Sequence, residues 1–96
     1  MNVQELLQAK REEILAAAAK RGARNVRIFG SAARGESRAD SDIDFLVEMD
    51  ADRSLMDLGG LLSDLEDILG HKVDVVEPEG LHPHLKSRIL EEAVTL

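Results

Sequence analysis

The stretch FGSAARGESRADSDIDFLV, residues 29–47, decides how the chain is read. It starts at the end of NVRIFG (25–30), where Val26 and Ile28 alternate with Arg27 and Phe29, the period of a β-strand. Gly30 ends that strand. Ser31 stands at or near the N-cap of a short helix running to Arg34. GESRADS (35–41) is a polar loop, and IDFLVEM (43–49) is a second strand, apolar enough for burial on both faces. Alternation along that strand puts Asp42 and Asp44 on one face and Ile43 and Phe45 on the other. Two carboxylates this close raise each other's pKa, so the arrangement calls for a positive partner.

Outward from this segment, the chain alternates helix and strand. Val3, Leu6, Leu7, Ile14, Leu15 and Ala18 form a helical stripe over residues 3–20. The run AAAA at 16–19 has the highest helix propensity, and Gly22 is a stop. A second long helix covers 54–69, SLMDLGGLLSDLEDIL, with Ser54 as N-cap and Gly70 as stop. Its buried stripe is Leu55, Leu58, Leu61, Leu62, Leu65 and Leu69, and Gly59-Gly60 reads as a place of close packing against the sheet. KVDVVE (72–77) is a third strand. LHPHLKSRILEEAV (81–94) is a last helix, with Pro83 in its first turn. The order α-β-α-β-α-β-α predicts an α/β (α+β) fold, a small sheet with helices packed on it. With 96 residues and no linker or repeat, one domain over 1–96 is expected.

Composition narrows the function classes. There is no cysteine, hence no disulfide framework and no thiolate metal site. Phe29 and Phe45 are the only aromatics besides histidine, and the net charge is −7. Both features argue against a nucleic-acid-coating protein, which needs stacking platforms and a basic face. No apolar run reaches the roughly 20 residues that span a bilayer. The N-terminus lacks the apolar centre of a secretory signal, so a cytoplasmic protein is expected. The charge is unevenly divided. Residues 1–38 carry eight Lys/Arg against four Asp/Glu, and residues 39–96 carry four against fifteen. This suits a site that holds both phosphate and metal, but taken alone the asymmetry is better explained by a solvated surface.

The site candidates follow from chemistry. Two aspartates on one strand face suit Mg²⁺, a hard cation held by one or two carboxylates, water and substrate phosphates. The plainer alternative is a turn whose aspartates cap the strand. A calcium loop beginning at Asp40 fails, since Phe45 stands where it needs glycine and Ala51 where it needs glutamate. Gly30 lets backbone approach a ligand, and N–H groups at a helix start, with the Ser31 hydroxyl, attract phosphate. Arg34 and Arg38 add cations suited to phosphate oxygens or, equally, to solvent. Asp74 lies among Val73, Val75 and Val76. If its strand lies beside the Asp pair it completes a carboxylate triad; otherwise it is an edge aspartate facing water. His82 and His84 read as exposed groups of the last helix's first turn.

G-S-x-x-R-G (30–35), then S-D-x-D (41–44) entering a strand, then Asp74 in a later strand, resembles the nucleotidyltransferase superfamily of DNA polymerase beta. At this length the chain is similar to the minimal nucleotidyltransferases (MNT) of prokaryotes, which accompany a helical HEPN protein. The resemblance runs from the first helix through HKVDVVEPEGL (71–81) to the last. It implies the nucleotidyltransferase fold with a mixed sheet. It implies that Gly30 and Ser31 hold the β- and γ-phosphates of ATP, supported by Arg34 and less directly by Arg38. It implies that Asp42, Asp44 and Asp74 bind Mg²⁺, two ions, with Asp74 also helping to activate the attacking hydroxyl. It implies AMP transfer to a HEPN toxin, on a tyrosine, in a hetero-oligomer, with no direct nucleic-acid contact. Two alternatives stay open: a non-catalytic antitoxin that masks its partner, and a small-molecule nucleotidyltransferase, which would need an acceptor-binding second domain that the chain does not offer.

Overall fold

The computed structural model describes residues 2–38 and 41–96. Ala39 and Asp40, in the middle of the polar loop, lie outside the described residues, as does Met1. The fold is organised on the strand that follows the loop. This strand, β2 (Ile43–Met49), has Ile43, Phe45, Leu46 and Val47 fully buried. Leu46 points away from Phe45, so both faces are covered at its centre, as the unbroken apolar run implies. Burying each such side chain contributes roughly 1.5–3 kcal/mol.

On one side β2 pairs antiparallel with β1 (Ala23–Phe29). On the other it pairs parallel with β3 (Val73–Val76). A two-residue strand, β4 (Val94–Thr95), adds to the outer edge of β1, giving the mixed order β3-β2-β1-β4. The parallel step is bridged by α4 (Leu55–Leu69), the helical crossover that parallel strands require. Helices α1 (Val3–Ala9), α2 (Arg11–Lys20) and α4 join the sheet in one core. It unites Leu7, Ile14 and Ala18 with Val26 and Ile28, with Phe45 and Val47, and with Leu61, Leu65 and Val75.

Four local features depart from the sequence reading. The helix expected over 3–20 is two helices, interrupted at Lys10. Lys10 N–H donates to the Leu6 carbonyl, and the Lys10 carbonyl accepts from Ile14 N–H. The last helix, α5 (Pro83–Glu92), stops two residues early because Ala93 is extended (ψ 138°) and the β-branched pair Val94–Thr95 joins the sheet. In α4, Leu55 is 82% exposed rather than buried. The Gly59-Gly60 pair does not meet the sheet either. Gly59 faces open space, and Gly60 faces the Arg21 guanidinium, which is ion-paired with Asp64 at 2.9 Å.

The ends of α4 follow the predicted signals. Met56 N–H donates to the Ser54 hydroxyl, Ser54 N–H donates to the Asp57 carboxylate, and Gly70 closes the helix in the left-handed conformation. β1 carries a bulge. Asn25 adopts φ 52°, and the pairing with β2 shifts between Arg24 and Arg27. Beyond the bulge the ladder is regular, Arg27 opposite Leu46, Ile28 opposite Phe45 and Phe29 opposite Asp44. A short 3-10 turn, Pro78–Gly80, links β3 to α5. Among the described residues no helix is long and apolar enough to cross a membrane.

Candidate active site

The site lies where β1 ends, β2 begins and β3 runs beside it. The register fixes the neighbours. Asp44 stands between Phe29 of β1 and Asp74 of β3. Asp42 precedes β2 by one residue and is exposed. Asp74 lies on an edge strand and is exposed, yet is in register with Asp44. Asp74 is thus an edge residue that also stands beside Asp44.

Electrostatics registers this crowding. The Asp44 carboxyl is pushed up to about 6, first by burial, then by the charges of Asp74, Asp42 and Glu92, against a smaller opposing effect of Arg34. A carboxylate in that position is short of positive charge.

Gly30 follows directly from β1 as the first residue of α3 (Gly30–Arg34). Its φ of 70° lies in the left-handed region, and a Cβ there would fall on Asp44 Oδ2. Only glycine lets the backbone come this close to the carboxylate. Ser31 is therefore the second helical residue, not the cap. The N-cap position is Phe29, and no side chain caps the helix. Arg34, in the last turn of α3, turns its guanidinium to Glu92 (2.8 Å) and Glu36 (3.3 Å). The Glu92 hydrogen bond leads the effects that raise its pKa. Arg38 is not drawn in. Its backbone N–H donates to the Ser41 hydroxyl and its carbonyl accepts from Ser41 N–H, a clasp across the loop, while the residue itself is exposed.

The structure adds one carboxylate that sequence reasoning missed. Glu92, the last residue of α5, accepts a hydrogen bond from Gly30 N–H at 2.6 Å as well as the one from Arg34. Burial pushes its carboxyl up. The Gly30 and Arg34 hydrogen bonds, with the charges of Arg34 and Arg88, outweigh this and hold it below the usual glutamate range. The available signal was position: Glu91-Glu92 ends a helix without a basic residue in its last turn, where the helix dipole disfavours acids. His82 and His84, by contrast, are exposed and stack on each other at the start of α5.

The donor set of Asp42, Asp44 and Asp74 is all hard oxygen, the chemistry of Mg²⁺ rather than of zinc or copper. Its excess negative charge is what such a cation would offset. Among the described residues, no three such side chains close on one point tightly enough to hold an ion as they stand.

The family model for the nucleotidyltransferase domain matches residues 11–96. The chain belongs to the nucleotidyltransferase domain family. This nucleotidyltransferase is 45% identical, over 98% of its length and 97% of the relative's, to a Methanocaldococcus jannaschii protein provisionally named a protein adenylyltransferase. It is 38% identical to the protein adenylyltransferase MntA of Thermococcus cleftensis, over 76% of its own length and 74% of the relative's. A solved structure, described provisionally as a minimal nucleotidyltransferase, superposes with a TM-score of 0.88 at 48% identity, covering 96% of this chain and 94% of that one. A second, a toxin–antitoxin solved with AMP-PNP, gives 0.75 at 20% identity over 88% of this chain and 69% of that one, a likeness of fold. The expected nucleotidyltransferase fold is thus the observed one, and the substrate class is a nucleotide.

Proposed function

We propose that this nucleotidyltransferase transfers AMP from ATP to a hydroxyl of a partner protein, a tyrosine of a HEPN toxin, and thereby acts as its antitoxin. In this reading residues 1–96 work as one domain, in a cytoplasmic hetero-complex, without touching nucleic acid. Gly30, Ser31 and Arg34 take the β- and γ-phosphates, with Arg38 at the margin. Asp42, Asp44 and Asp74 hold Mg²⁺, which when bound supplies positive charge to the attacking and leaving oxygens. The acceptor oxygen bonds to the α-phosphorus. The bond from that phosphorus to the bridging oxygen breaks, and pyrophosphate leaves with the electron pair. The acceptor proton passes to a carboxylate, Asp74. Positioning and charge carry such transfers, so the protein needs no covalent intermediate.

One observation carries the reading: Asp44 is in register with Asp74 and in van der Waals reach of the Gly30 backbone, so these two carboxylates and the candidate phosphate-binding turn lie together at one end of the sheet. The names of the relatives support protein as the acceptor class.

The test uses purified protein, Mg²⁺ and ATP labelled at the α- or γ-phosphate, added to an extract of the source cells, with Asp42→Asn/Asp44→Asn alongside. The expected result is α-label on one protein band, absent with γ-label and with the variant. A co-purifying partner that acquires no label would overturn transfer in favour of masking.

A further inference from the structure

Glu92 occupies the two groups to which the nucleotide reading assigns the phosphate chain. One carboxylate oxygen accepts from Gly30 N–H and the other from the Arg34 guanidinium. Both are the charge-assisted contacts a phosphate oxygen would make. A carboxylate and a phosphate cannot fill the same donors together, and two anions in one place repel.

The element that delivers Glu92 is weakly held. α5 buries none of its residues. Leu85 is 51% exposed and Leu90 38%, and the helix packs mainly on α3, the element that carries Gly30 and Arg34. Its acidic C-terminal end works against the helix dipole. The grip of Glu92 on Gly30 and Arg34 is therefore a principal tie between α5 and the rest of the fold, and it is made only while the donors are free of another anion. Segments with few buried contacts are the ones that open at low free energy.

From this geometry we infer that Glu92 is an internal competitor for the triphosphate: α5 latches the site shut in the free protein, and nucleotide binding displaces the Glu92 carboxylate and releases the helix. The inference rests on the nucleotide reading above. It adds that the free chain binds ATP less tightly than its donor groups allow, because binding first requires the latch to open.

Two measurements test it. Equilibrium dialysis of Mg²⁺-ATP compares the natural chain with Glu92→Gln, which keeps the shape and removes the charge. The variant is expected to bind about tenfold tighter, the ratio for a latch open about a tenth of the time. Measurable ATP binding that is equal or weaker in the variant overturns the latch and leaves the nucleotide reading standing. No binding to either protein overturns the nucleotide reading and the latch with it. Hydrogen exchange on the natural chain covers the case in which the variant does not fold. Mg²⁺-ATP is expected to speed exchange across 83–92, and unchanged or slower exchange there overturns the latch.

Discussion

At neutral pH the Asp44 carboxylate is ionised although burial, Asp74 and Asp42 all favour its protonated form. Its folded-state pKa of about 6 exceeds the ordinary 3.8, so the folded protein binds this proton more tightly than the unfolded one. Stability from this group is full below about pH 4 and is lost as pH rises through about 6. Urea midpoints of the metal-free protein should therefore rise on acidification from pH 7 to pH 5, and Asp44→Asn should flatten that slope. Glu92 works in the opposite sense. Its pKa is lowered, so its contribution is present at neutral pH and disappears only below the usual glutamate range. At Gly30, replacement by alanine combines a left-handed φ with a methyl group placed on Asp44 Oδ2. A loss of roughly 1–3 kcal/mol is expected in urea melts, with weakened ATP binding. The places of Gly30 at the end of β1 and of Asp44 in β2 were legible in the sequence because a glycine after a strand and strand alternation carry their meaning locally. Glu92 was not, because its role depends on folding residue 92 back against residue 30.

Among the elements, α4 was read within a residue at both ends, since cap, apolar stripe and glycine stop agree. Its adjacent glycines separate two effects. Gly59→Ala adds a methyl group in open space and should stabilise by about 1 kcal/mol through helix propensity. Gly60→Ala meets the Arg21 guanidinium and disturbs its pairing with Asp64, so thermal melts should show that gain reduced or reversed. Leu65→Ala, which hollows the core between α4 and the sheet, should cost about 2–5 kcal/mol. Less was legible at the chain's two ends. An interruption of one residue, as at Lys10, leaves no trace in an apolar stripe. A two-residue strand such as β4, with both residues exposed, is too short to show a period.

For the molecule as a whole, ligand binding and folding are linked. Mg²⁺-ATP at about a hundred times its dissociation constant should add roughly 2.7 kcal/mol of stability, a shift on the order of 10 °C in a chain of this size. Asp42→Asn/Asp44→Asn should lose most of that shift in differential scanning calorimetry. The parallel pairing of β2 with β3 could not be read from either strand alone. It follows from the crossover through α4, and it made Asp74, singled out for its place among valines, a register partner of Asp44. The bulge at Asn25 has a different consequence. It is a one-residue excess absorbed between two correctly paired lengths of β1. The extra residue is taken up there, so Ala23 and Arg24 stay paired with Met49 and Glu48 while Phe29 keeps its place opposite Asp44. The bulge works as a slip joint between the two lengths of the strand.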